Sequence, residues 1–438
     1  MAPVPPTASY GGTAAEPLPC ALHDHAAAET YVASVGFKHG PPRLLGVELE
    51  WTVHHANDPR RPLTAGHLAG ALGPHAPATL DPSGPHLPLA NGSMVSVEPG
   101  GQVEISTPPL ASLHDLLLTT AADAAELADH LERAGLLLGA QATDPHRPPQ
   151  RLLDTPRYAA MQSAFDRIGP DGRAMMCSTA GLQICLDAGQ PDRTAARWAA
   201  VHALGPALVA LFANSPRLHG RDTTWASTRL PVLFGTDPPR MLPSSLSADP
   251  AASWARRALD IPVLCIRRPD RAWDAPPGMT FTDWINGALP DPPTTADLDY
   301  HLSTLFPPVR PRGYLEIRYL DAQPGEAWTA PVALLATLMA DESTVDEAAR
   351  LAAPCAGRWL PAARHGLADR PSAEAANALV ALGISTMAAN TDLDDTHIAG
   401  IATQLTRLTG RNGQASSVTA SRTGRPRARN RLHHTEQS

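Results

Sequence analysis

The chain has 438 residues, 43% hydrophobic and 18% charged. That is enough apolar material for one large folded unit or two ordinary ones, and it excludes a fibrous or wholly disordered protein. A formal net charge of −8 argues against nucleic acid as the main partner, and a single lysine, Lys38, among 35 basic residues excludes a P-loop or protein-kinase site.

Residues 1–20, opening MAPVPPTASYGG, are rich in Pro, Ala and Gly and predict a flexible arm; they lack the basic and apolar regions of a signal peptide. GVELEW follows near residue 46 as a strand. Glu48 and Glu50 share one of its faces, Val47, Leu49 and Trp51 the other. Two like charges about 7 Å apart are harmless on a solvated edge and costly in a cleft, unless a cation lies between them. His54 and His55, just beyond, are read as ordinary structural residues, as are His23 and His25.

SMVSVEPGGQVEISTP predicts two alternating halves interrupted at Pro99, Gly100 and Gly101. Gln102, Glu104 and Ser106 face away from Val103 and Ile105, and Glu98 lies just before the break. Ser112 and Asp115 open a helical pattern over 112–140. STAGLQICLDAG sets Gln183, Cys185 and Asp187 opposite Leu182, Ile184 and Leu186, and a second helix is predicted over 193–213. In the loop-like HGRDTTWASTRLP, Arg221 and Arg229 are candidates for a phosphate or a substrate carboxylate, with a surface or structural role as the alternative.

GYLEIRYLDAQ sets Glu316 and Arg318 opposite Leu315, Ile317 and Tyr319. Further helices are predicted over 325–352, 372–389 and 395–409. The folded domain spans 21–409, and 410–438 is an arginine-rich tail predicted to be disordered. The longest apolar run, PALVALF, is too short for a membrane span. Five cysteines without a CxxC pair suit a reducing cytoplasm.

If the four strands share one sheet, helices can cover its apolar face while the other face gathers carboxylates, Gln183 and Arg318. Ordinary amphipathic strands with one face in water would give the same alternation, but solvated faces mix in Lys and Thr, whereas these repeat acid. Clustered carboxylates with a carboxamide are hard oxygen ligands for Mg2+ or Mn2+, and magnesium completes its shell with substrate phosphates, which implies Mg-ATP. Arg318 could hold a phosphate or stabilise developing charge; a purely structural ion pair with Glu316 or Glu104 is the alternative.

SVEPGGQVEISTPPLASL resembles the corresponding segment of plant and bacterial glutamate–cysteine ligases. The resemblance continues in order through PRYAAMQSAF, AMMCSTAGLQICLD, FANSP, HGRDTTWASTRLPVLF, WARRALDIPVL, MTFTDWINGALP and HLSTLFPPVRPRGYLEIRYLDAQP, over about residues 30–390. It implies an α+β fold: a mainly antiparallel curved sheet of the glutamine-synthetase-like carboxylate–amine ligase type, with helices covering the outer face. It also implies the reaction, in which ATP phosphorylates the side-chain carboxylate of L-glutamate and the amine of L-cysteine attacks the acyl phosphate.

By the same resemblance, Glu48, Glu50, Glu98, Glu104, Gln183 and Glu316 hold divalent metal around ATP, with Glu104 and Arg318 catalytic. Arg318 neutralises the transferring phosphoryl group. Arg221, Trp225 and Arg229 fall in the substrate loop, the two arginines also as ATP contacts. The chain is similar to the bacterial ergothioneine-pathway type, although the same product could feed glutathione. AGLQICLD departs from the plant pattern around Gln183, and the redox-controlling cysteines of plants have no counterpart. Three other readings stand beside it: a same-fold ligase using another amine, a non-enzymatic nucleotide or metal-binding module, and a metal-dependent hydrolase.

Overall fold

A computed structural model describes residues 20–269 and 271–420, with side chains to residue 410. The predicted arm up to residue 19 and the tail from residue 421 lie outside the described residues.

The four strand segments do form one sheet. Its six strands are β1 (Leu45–Trp51), β2 (Met94–Val97), β3 (Val103–Ser106), β4 (Gly181–Asp187), β5 (Val309–Pro311) and β6 (Tyr314–Asp321). They lie in the order β2-β3-β1-β4-β6-β5, with every neighbour antiparallel. Because strand side chains alternate, Val47, Leu49, Val95, Val97, Val103, Ile105, Leu182, Ile184, Leu315 and Ile317 all fall on one side and join the main core.

Helices cover that side. Leu113–Arg133 (α1) packs near β1, and Thr194–Leu211 (α2) lies under β6, where the Tyr319 hydroxyl donates to the Val201 carbonyl. Outside them stand Thr329–Leu338 (α3), Glu342–Ala352 (α4), Arg370–Asn390 (α5) and Asp395–Ala420 (α6). The architecture is α+β with helices on the apolar face.

Three predicted helices end differently, one of them α6, which runs on to Ala420 through residues 410–420, where a disordered tail was predicted. The one placed over 112–140 stops at Arg133, because Gly135 takes φ 72°, a left-handed turn that favours glycine. Leu136–Leu138 then pairs as a strand with Val53–His55. The one placed over 325–352 is three elements: a 3-10 turn at Gly325–Trp328, then α3, then α4, which Asp341 opens by accepting from the Ser343 and Thr344 amides. Arg229–Thr236, barely two turns long, and Pro156–Asp166, whose buried residues Ala160, Met161 and Phe165 form no regular stripe, lie outside the predicted helices.

The β2–β3 hairpin is fixed by its glycines. Gly101 has φ 89°, and its amide donates to the Glu98 carbonyl at 2.9 Å. At Gly100 a Cβ would lie 2.3 Å from the Cys177 carbonyl oxygen, so only glycine fits where the turn meets the end of the helix Asp171–Ser178.

Candidate active site

Strand register brings the polar residues together. Glu50 lies opposite Glu104, Glu48 is flanked by Ser106 on one side and Gln183 on the other, and Glu316 lies between Cys185 and Arg310. Glu98 follows directly after β2, and the charges of Glu50, Arg157, Arg318 and Glu48 act on it. All six residues predicted to hold metal, and Arg318, therefore occupy one face.

A polar chain links them. Gln183 Nε2 donates to Glu50 at 3.0 Å and to Glu104 at 3.4 Å, while its Oε1 accepts from Arg318. Arg318 Nη1 also donates to Glu316 at 3.1 Å. Glu50 further accepts from the Gly181 amide at 2.6 Å, and Glu104 from Ser96 Oγ at 2.8 Å. Among the described residues, no hydrogen-bond donor reaches the carboxylates of Glu48 or Glu98.

Electrostatics divide four of the acids, Glu48, Glu98, Glu104 and Glu316, into two groups. Burial, then the charge of Glu316, raises Glu48 to about 7; burial, then Glu50, raises Glu98 to about 7. Glu104 is pushed well above the usual carboxylate range by burial and then by Glu48, Glu50 and Glu98. Glu316 is the opposite case. Burial alone would raise it too, but Arg310, Arg318 and Arg312 outweigh burial and hold it far below the usual range.

Glu316 is fully buried, and Arg310 grips it by two bonds of 2.6 and 3.0 Å, with Arg312 at 3.3 Å. Both of its oxygens are thus taken by guanidinium groups, and the Arg318–Glu316 ion pair that the sequence left as the structural alternative is present. Among the described residues, Glu48, Glu50, Glu98 and Glu104 make no ion pair within 4.0 Å, whereas Glu316 makes three.

The loop arginines have separate fates. Arg229 is buried and donates to the carbonyls of Arg318 at 3.1 Å and Leu320 at 3.1 Å, so it supports the strand that carries Arg318. Arg221 is exposed, in a two-residue strand paired with Arg217–Leu218. Trp225 is half-buried beneath the Arg364 guanidinium, 5.6 Å from its ring centre. Among the described residues, no contact of Arg221 or Trp225 reaches the acidic face.

Asp321, at the end of β6, ties this loop to the strand. Its carboxylate accepts from the Asn214 amide at 2.9 Å, Ser215 Oγ at 2.7 Å and Ser227 Oγ at 3.0 Å. The sequence reading did not single out Asp321, nor Arg310, Arg312 and Arg157. The alternation in VRPRG was a signal for Arg310, which falls on the same face as Glu316; Arg157 gave none. It lies 5.0 Å over the Tyr300 ring and bonds Ser303, and it reaches Glu98 only through the tertiary fold.

The profile of the family described as glutamate-cysteine ligase family 2 matches residues 44–415. A relative named glutamate–cysteine ligase EgtA, from Mycobacterium tuberculosis, is 42% identical over 82% of this chain and 83% of its own length. A chloroplastic glutamate–cysteine ligase of Brassica juncea is 32% identical over 63% of this chain and 54% of its own. Among solved structures, a glutamate–cysteine ligase of Francisella tularensis in complex with AMP aligns over 89% of this chain and 86% of that one, with 12% identity and a TM-score of 0.47.

Proposed function

The chain belongs to glutamate–cysteine ligase family 2, and from that premise we propose that it joins the γ-carboxylate of L-glutamate to the amine of L-cysteine at the expense of ATP. The products are γ-glutamylcysteine, ADP and phosphate. One observation carries the reading: a sheet face where four carboxylates that form no ion pair among the described residues adjoin a buried arginine network ending at Arg318.

That donor set fits Mg2+ or Mn2+. The acids are oxygen ligands, and burial with mutual repulsion raises three of them, as expected of a cluster lacking a counter-ion. Glu48, Glu50, Glu98 and Glu104 would hold the ion, while Glu316, saturated by arginine, holds Arg318. When bound, the metal supplies positive charge that lets two anions, ATP and the glutamate carboxylate, approach each other. Gln183 fixes the spacing between this group and Arg318, because its amide bonds both at once. Arg318, set by Gln183, Glu316 and the backbone bond from Arg229, is placed to donate to the oxygens of the transferring phosphoryl group.

We assign the product to ergothioneine synthesis, supported by the sequence resemblance and the 42% identical relative, and the reaction to one catalytic domain over about 21–409 in the cytoplasm. Five free thiols support that compartment, and no helix among the described residues is long and apolar enough to cross a membrane. The test is ADP release by the purified protein with Mg-ATP and L-glutamate, with and without L-cysteine, the product identified by mass. Cysteine-dependent ADP with the mass of γ-glutamylcysteine is expected. ADP formed only with another amine would overturn the substrate, and no ADP under any condition would overturn the ligase reading.

A further inference from the structure

Behind the sheet, a second cluster has the chemistry of a different metal. His75 ends the short 3-10 turn Gly73–His75, and Glu126 and His130 stand one helical turn apart on α1. The three ligand atoms lie within 4.8 Å of one another. Glu126 Oε1 is the shared vertex, 3.8 Å from His75 Nε2 and 4.0 Å from His130 Nε2.

We propose that His75, Glu126 and His130 bind a borderline divalent ion of the Zn2+ class, leaving its fourth position to water, and that this ion clamps the segment entering β2 onto α1. The ligand type separates this site from the acidic face: two imidazoles and one carboxylate suit zinc, whereas an all-oxygen set suits magnesium.

The side chains are already oriented for it. His75 Nδ1 lies 3.0 Å from the Leu87 carbonyl, which can only accept, so the ring proton is on Nδ1 and the Nε2 lone pair faces the cluster. Glu126 Oε2 accepts from the Ala90 amide at 2.9 Å, leaving Oε1 turned toward both rings. The ring centres of His75 and His130 are 5.1 Å apart.

Zinc bonds of about 2.1 Å place tetrahedral ligands about 3.4 Å apart, a closure within reach of rotation in Glu126 and His130, whose side chains are 29% and 24% exposed. Asp123, one turn earlier on α1, already accepts from the Asn91 and Ser93 amides, so a metal here would complete the attachment of the chain running into Ser96 and Glu98. A second trio, His114, Asp394 and His397, lacks this preparation. Asp394 is 55% exposed and spends one oxygen on both the His397 ring and its amide.

The test uses untagged full-length protein with saturating Mg2+, titrated with Co2+ and followed by visible absorption. One equivalent of Co2+ should give a tetrahedral spectrum that Zn2+ displaces, and Zn2+ should raise Tm by several degrees. His130→Gln, chosen because it should keep the wild-type Tm in chelator, should weaken Co2+ binding at least tenfold and abolish the Zn2+ shift, whereas His397→Gln should change neither. Absence of a tetrahedral Co2+ complex would overturn the proposal, as would a spectrum that survives both His75→Gln and His130→Gln, or one lost on His397→Gln.

Discussion

Glu316 is enclosed by three guanidinium groups, and the consequences of removing one differ from those of removing a ligand on the carboxylate side. Arg310→Met would leave a buried carboxylate short of its bidentate partner, and breaking such a pair typically costs about 3–5 kcal/mol; urea unfolding should register a loss of that size. Glu104→Gln and Arg318→Ala should act on turnover instead. Each is expected to reduce kcat by at least about 10³, since charge stabilisation at a transferring phosphoryl group contributes about that much or more, while the circular dichroism spectrum stays native. Near-normal turnover in either purified variant would remove these residues from the mechanism. The carboxylates were legible in the sequence because strand alternation alone places Glu48 with Glu50 and Glu104 with Ser106. Their division was not, because it depends on Arg310 arriving from a different strand.

At the scale of elements, the sequence showed what is periodic and missed what is brief. The long helices α2 and α5 lie within two residues of their predicted bounds, whereas α1 was drawn too long because the apolar run Leu136–Leu138 continues past Gly135 into a strand. The hairpin break at Pro99, Gly100 and Gly101 was visible, but the reason for glycine at 100 was not, since the Cys177 carbonyl that excludes a Cβ is 77 positions away. Gly100→Ala should therefore shift the turn and Glu98 with it. We expect a destabilisation of about 2 kcal/mol or more and at least a tenfold fall in turnover. Gly70 is the control: it sits exposed within the helix Ala65–Leu72, and nothing lies within 4 Å of where its Cβ would be. Gly70→Ala should raise stability by about 0.5–1 kcal/mol and leave turnover unchanged.

For the whole molecule, protons and metal are linked through two sets of buried groups that titrate in opposite senses. His54 and His202 are held at about 4 and His301 at about 3, each chiefly by burial, and each has a ring nitrogen without a hydrogen-bond partner. Their native values lie below the unfolded value of about 6.5, so the stability they contribute is present above pH 6.5 and is lost as pH falls toward 4. Glu48, Glu98 and Glu104 are raised, so the metal-free native state takes up protons where the unfolded chain does not; the contribution of Glu48 and Glu98 is present below about pH 4.5 and is lost as pH rises through about 7, and that of Glu104, raised well above the usual carboxylate range, has the same sign. Between pH 6.5 and 5.5 the two sets oppose each other, and each group contributes up to about 1.4 kcal/mol per pH unit. In chelator the net change over that interval should be close to zero. Saturating Mg2+ keeps the carboxylates charged and removes their share, so the histidines act alone and about 3 kcal/mol of stability should be lost over the same interval. Urea unfolding at the two pH values, with Mg2+ and with chelator, measures both slopes. Equal slopes would mean that the raised carboxylates are not the groups that hold the metal.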